Sequence, residues 1–257
     1  KLAPRVGAKP AFAAFHRLLH AQRDSLVAAP GNIRHSLDAD KSWSPCGERE
    51  CIPMSAGAKG TPATTATISG ADWSDQEITD QQHTRTAFTD LDLTEARLRG
   101  VVFSECTFRS AKFNCSTHAD VAFVNCRFMN CSFFETQFAD CKFVGSSFDR
   151  CSHVLMHVDG GNWSHCALPG ADLRKARFSS VKLREADLTG ANCEGASIRD
   201  CDLTSAWLGG ARLASCDLRG SDLSGIELDP SAMQGTIITY QQAIALVSAL
   251  GLDVEPE

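Results

Sequence analysis

The sequence lacks any apolar run approaching the roughly 20 residues a membrane-spanning helix needs, so no membrane helix is expected. Over residues 66–238 it also lacks the two ordinary hydrophobic periods, about 3.6 for a helix and about 2 for a strand. Basic residues are scarce after the first quarter of the chain. Residues 54–257 hold seventeen Lys or Arg against twenty-six Asp or Glu, a balance of −9, whereas residues 1–53 carry +3. An acidic chain of this kind argues against direct nucleic-acid binding and for a basic partner or plain solubility. No nucleophile and base pair, phosphate-cradling loop or carboxylate site rises above the sequence pattern, so neither an enzyme nor a cofactor is expected.

What replaces the missing periods is a period of five. Bulky apolar residues recur as Phe88, Leu93, Leu98, Phe103, Phe108, Phe113 and again from Phe123 to Phe148, then from Leu168 to Leu188 and from Ile198 to Ile238. Two residues before each centre stands something smaller, such as Cys106, Ala111, Cys126, Ala186 or Ala191. Two positions apart on an extended chain face the same side, so both point inward and the remaining residues turn a corner. Centres run from Ile68 to Ile238, which makes thirty-five pentads. Glycine gathers two residues after the centre, mostly beyond residue 155, where it suits the positive φ of a type II turn. Type II corners are therefore expected mainly in the C-terminal half.

Eight of the twelve cysteines (Cys106, Cys126, Cys131, Cys141, Cys151, Cys166, Cys201 and Cys216) occupy the small inward position, as buried hydrophobes would. With no recognisable secretory signal, a reduced cytoplasmic protein is expected. Residues 1–65 are read as an N-terminal extension, loosely attached or disordered, with one amphipathic helix over about residues 11–28. That helix is either a targeting segment or of vector or upstream-translated origin, and Met54 is a candidate start. Cys46 and Cys51 form too small a set to point to a metal.

The unit small-polar-Leu/Phe-x-x, as in Ala186-Asp187-Leu188-Thr189-Gly190-Ala191, resembles the pentapeptide-repeat proteins over residues 66–238. The resemblance implies an all-β solenoid, a right-handed quadrilateral β-helix with four pentads per coil. Thirty-five pentads then give about nine coils, a rod of roughly 40 Å at about 4.8 Å per stacked strand. Centres twenty apart change from Phe to Leu near residues 150–165, where a junction with local core adjustment is expected. His153, His157, His165, Cys151 and Cys166 in this patch point to different sides of such a coil, so no metal site is expected. His118, at a centre, is expected to be a hydrogen-bonded core residue.

After Ile238, residues 239–257 are read as a short C-terminal capping helix and tail, with Tyr240, Ala243, Ile244, Val247 and Leu250 on a buried face. A helix with this Gln-rich start and Gly-Leu ending is similar to the Qnr/MfpA branch of the family. That resemblance implies a homodimer through these five residues and a DNA-mimicking protein that binds DNA gyrase, and topoisomerase IV where present. The function implied is quinolone or antibiotic resistance by protecting the topoisomerase. Self-immunity against an albicidin-like toxin and a scaffold role with another partner are the alternatives. The array keeps phase throughout, as loop-free members do. The acidic face that such mimicry requires is assigned to Asp80, Asp120, Asp140, Asp200, Glu95 and Glu135.

Overall fold

The computed structural model describes residues 64–227, 229–249 and 253–254. The expectations for residues 11–28, Cys46, Cys51, Met54 and Leu250 lie outside these residues.

Every pentad centre described from Ile68 to Leu223 points inward, and all but the terminal ones are buried. Neighbouring turns pair in parallel at a register of 20 residues, for example Phe88 with Phe108 and Phe128 with Phe148. Four pentads therefore complete one turn and make four faces. Face one carries the centres Trp73, Leu93, Phe113, Phe133 and onward, and is joined by single bridges such as Asp92 to Lys112 and Ser132 to Ser152. Face two is a seven-stranded stack from Glu77–Thr79 to Ser197–Arg199. Face three holds the strands Gln82–Thr84, Val102–Ser104 and Ala122–Val124, and face four the five strands from Ala66–Ser69 to Ser147–Asp149. Named strands span Ala66 to Arg199, about seven turns rather than nine. Beyond Arg199 the winding continues only as single bridges, the last being Asp217 to Ile237.

The core of the first half is a set of ring columns. Phe88, Phe108, Phe128 and Phe148 stack with centroids 4.9 Å apart and planes within 10°. That spacing matches the turn repeat, so backbone pairing and ring stacking share one register. The expected junction introduces no break in pairing: Lys142 bridges Asn162, and Asn162 bridges Lys182. What changes there is the filling. Trp163 is fully buried, its ring 4.0 Å from that of Phe143, and the Leu centres follow. Gly161 occupies the small inward position of that pentad with φ +88, and a Cβ there would lie 2.1 Å from the Cys141 carbonyl oxygen. No other residue fits so close to the preceding turn.

The corners meet the expectation in part. A turn hydrogen bond from the residue three after the centre to the centre carbonyl closes every corner from His153 to Leu218 except those at Val158, Phe178 and Ile198. Before residue 150 it closes only those at Trp73, Leu93, Phe113, Phe133 and Phe143. Positive φ, however, is not confined to the closed corners or to glycine. Asp80, Arg85, Glu105, Asn125 and Leu155 all take φ between 48 and 58.

The open corners explain the cysteines better than hydrophobicity alone. Cys126 donates to the Phe103 carbonyl at 3.3 Å, Cys131 to Phe108 at 3.5 Å and Cys141 to His118 at 3.4 Å, each 23 residues back. These carbonyls belong to open corners and receive no turn N–H. Ser146 serves the Phe123 carbonyl and Ser221 the Ile198 carbonyl in the same way, at 2.9 and 2.8 Å. Burial pushes the Cys141 thiol up to about 12, so it stays a protonated donor.

Candidate acidic interface

The six acidic residues singled out from the sequence all stand two after a centre, at exposed corners. Asp80, Asp120, Asp140 and Asp200 stack along the corner after face two, with φ between 52 and 55. Glu95 and Glu135 stack along the corner before face two, with φ of 60 and 53. The two groups therefore border a single face on its two sides. Asp tolerates the left-handed conformation because its short side chain bonds locally, whereas Glu and Leu take it at some cost. Asp80, Asp140 and Asp200 are each followed one turn later by a corner glycine. A Cβ at Gly100, Gly160 or Gly220 would fall 2.5, 2.4 or 2.0 Å from the Asp Oδ1, so the glycines leave room for the carboxylates.

None of the six forms an ion pair among the described residues. Five acids lying on the faces behave differently. Asp92 pairs with Lys112 at 3.0 Å, Asp172 with Arg174 at 2.7 Å, Glu194 with Arg212 at 2.7 Å, and Asp202 with Arg184. Asp217 lies between Arg219 at 2.8 Å and Arg199 at 3.8 Å, and its bonds to Arg219 hold its carboxyl below the usual range. The negative charge left over lies at these corners and at Asp72, Glu77, Asp159, Asp187 and Asp222 on the faces.

Face two has a neutral middle. Its outward residues there are Thr117, Ala119, Gln137 and Ala139, small or uncharged. Toward one end stand Glu77, Arg97 and Arg99, and toward the other His157, Asp159, Arg177, Arg199, Asp217 and Arg219. The uninterrupted acidic stretch is therefore short, centred on Asp120, Glu135 and Asp140. Beside it, Phe134 and Val154 are 39% and 38% exposed and stack in adjacent turns on face one, with the half-buried Leu155 next to them at the corner. The sequence signal for this apolar ledge is Val-Leu at 154–155, where outward positions are otherwise mostly polar.

The histidines divide as the repeat requires. His153 and His118 are buried, whereas His165 is exposed and His157 half-buried on the outside. His118 Nε2 meets Ser116 Oγ at 2.8 Å, but its Nδ1 is unpartnered, as are both ring nitrogens of His153. Hydrogen bonding of His118 is thus half of what its position suggested. Burial depresses both, His118 to about 3 and His153 to about 4. Among the described residues no group of three metal-ligating side chains gathers.

At the far end an α-helix, α1, spans Tyr240–Ala249. Thr239 and Gln242 form a reciprocal cap: the Thr239 N–H donates to Gln242 Oε1 at 2.7 Å, and the Gln242 N–H to Thr239 Oγ1 at 3.3 Å. The Gln242 amide also donates to the Leu218 and Ser221 carbonyls, both at 2.7 Å, in place of a further turn. Ala243, Ile244 and Val247 are half-buried, but Tyr240 is 75% exposed and not on a buried face.

The family described as pentapeptide repeats (8 copies) matches residues 162–195, 170–204 and 196–229, where the geometry is one five-residue unit per corner and four units per turn. Residues 162–229 of this chain are thus pentapeptide repeats. Residues 72–153 of the solenoid match a second family, the SV2A/B/C luminal domain. No curated protein matches the sequence. Among solved structures, a trypsin-treated variant of QnrB1, a plasmid-mediated fluoroquinolone resistance protein, is 18% identical with a TM-score of 0.43, over 74% of this chain and 97% of that one. Full-length QnrB1 is 19% identical with a TM-score of 0.42, over 72% and 100%. HetL, a pentapeptide-repeat protein involved in heterocyst differentiation regulation in a Nostoc cyanobacterium, is 19% identical with a TM-score of 0.30, over 66% and 88%. Among the described residues of this solenoid, no helix is long and apolar enough to cross a membrane.

Proposed function

We propose that this chain is a DNA-mimicking protein that binds DNA gyrase, and topoisomerase IV where present, and protects it from a quinolone or a natural gyrase poison. The observation that carries the reading is the row of corner carboxylates without cationic partners, set on both sides of one face of a rigid rod. A protein surface that holds DNA meets two phosphate rows with a groove between them, and this arrangement offers an acidic row and a second, shorter one that ends at Leu155 and Lys175, with a floor that is neutral over its middle turns.

Magnitudes define how good the imitation is. From Asp80 to Asp200 is six turns, about 29 Å at about 4.8 Å per turn. One DNA strand carries about eight phosphates in that length, at about 3.4 Å each. Four aspartates supply about half that charge. A tail-to-tail homodimer through α1 would double the length without raising the density. The solenoid is therefore a sparse mimic, and contacts other than charge have to contribute to affinity.

The test is a supercoiling assay with purified gyrase. Inhibition at high concentration of the chain, together with rescue of supercoiling from a quinolone at lower concentration, is expected. The double variant Asp120→Asn/Asp140→Asn should weaken both effects about tenfold at moderate salt, as two exposed charge contacts warrant. Absence of both effects in the unaltered chain would reject the reading.

A further inference from the structure

The mimicry proposal leaves the ledge beside the acidic edge unexplained. Phe134 and Val154 point outward in adjacent turns, tied by the backbone bond from the Glu135 N–H to the Val154 carbonyl at 3.0 Å. Leu155 follows at the corner with φ +58, in the same column as Glu135 one turn before it. Such a backbone strains a leucine, whose Cβ crowds the following carbonyl, and does not strain a glycine. Glycine fills that corner role at Gly145, Gly170 and Gly190. Leu155 is also absent from the side chains packed on the core. An apolar side chain is thus held in a costly conformation at a corner, half exposed and outside the core cluster.

We propose that Phe134, Val154 and Leu155 form the apolar anchor of a protein-binding surface whose occupant is a Lys- or Arg-rich segment of a partner bearing one aliphatic side chain. The charge around the ledge selects the occupant. Glu135 adjoins it, and Asp120 and Asp140 line the opposite edge of face two, all without cationic partners. Cations of the segment reach these carboxylates while its aliphatic residue covers the ledge, a small apolar centre within a charged rim. Duplex DNA and acidic segments are repelled by the same carboxylates. The proposal rests on the corner carboxylates acting as a protein-binding surface, but not on gyrase being the partner.

The test uses the full chain and two fluorescein-labelled heptapeptides, six lysines around a central leucine or a central alanine, read by fluorescence anisotropy. The leucine peptide should bind about fivefold tighter than the alanine peptide, the scale of partly burying one aliphatic side chain. Leu155→Gly and Phe134→Ser should each erase that difference, whereas Glu135→Gln should weaken both peptides alike. Because glycine suits φ +58, Leu155→Gly should keep or raise the melting temperature, so lost discrimination cannot be attributed to misfolding. Equal binding of the two peptides would overturn the proposal, as would an unchanged preference in both variants. Sedimentation showing self-association that these variants abolish would overturn it in favour of a second copy on the ledge. The supercoiling assay reads the gyrase proposal separately, since peptide discrimination without gyrase inhibition leaves this surface intact and removes only that partner.

Discussion

Cys126 lies in the core and donates its S–H to a carbonyl three residues and one turn behind it. The period of five predicts its burial but not this bond, because the need for it depends on whether the corner at Phe103 closes upon itself. Cys126→Ser keeps a donor, as Ser146 does on the next turn. Cys126→Ala removes the side-chain donor that the Phe103 carbonyl has beside its strand partner, at a cost of about 1 kcal/mol or less. Urea unfolding should therefore place the alanine variant below the serine variant. The reverse order would mean that Cys126 acts only by filling space. The same dependence on neighbours explains why the sequence pointed to glycine at corners while the chain uses Asp, Asn and Glu there as well. The rigid ladder of bonds above and below each corner outweighs a local penalty of about 1 kcal/mol.

Among the elements, α1 shows how a solenoid ends. Its spacing was legible in residues 240–250, and so was its capping role. What the spacing did not reveal is that a polar residue makes the contact with the last turn. Gln242 closes the helix start and donates to the Ser221 carbonyl and to the Leu218 carbonyl, which also accepts the Ser221 N–H. Gln242→Ala removes both side-chain bonds, leaving the Leu218 carbonyl its turn bond, and should lower stability by about 1–3 kcal/mol. Hydrogen exchange should show the loss first at amides of the final turn, and uniform loss along the rod would contradict a local cap. Tyr240, expected on a buried face, projects outward because the cap turns the helix about Gln242 instead. Its exposure leaves the proposed dimer contact to be tested on Ala243, Ile244 and Val247 as well.

For the whole molecule, the two buried histidines make the core sensitive to acid. His118 and His153 are neutral inside the ring columns, with folded values of about 3 and 4 against about 6.5 when unfolded. A depressed base binds its proton in the unfolded chain first, so stability is intact above about pH 6.5 and falls as the pH drops toward 4. The slope is about 1.4 kcal/mol per pH unit for each histidine. The denaturant midpoint should drop steeply between pH 6.5 and 4.5, and His153→Phe, which continues the Phe113 and Phe133 column, should flatten the drop. An equally steep fall in that variant would assign the acid sensitivity elsewhere. Because turns contact only their neighbours, the weakness at this level should divide unfolding into two halves along the rod.

The sequence by itself determined the solenoid, because an inward side chain every fifth residue can be buried only if the chain turns a corner each time. It also determined which residues face out, including all six corner carboxylates. Tertiary structure alone decided which columns border the same face, since that depends on the twenty-residue turn bringing Asp120, Glu135 and Asp140 around one sheet. It also decided which charges remain unpaired. Arg184 and Arg212 reach acids 18 residues away on the neighbouring turn, a distance in sequence that becomes one strand spacing only when the rod is wound.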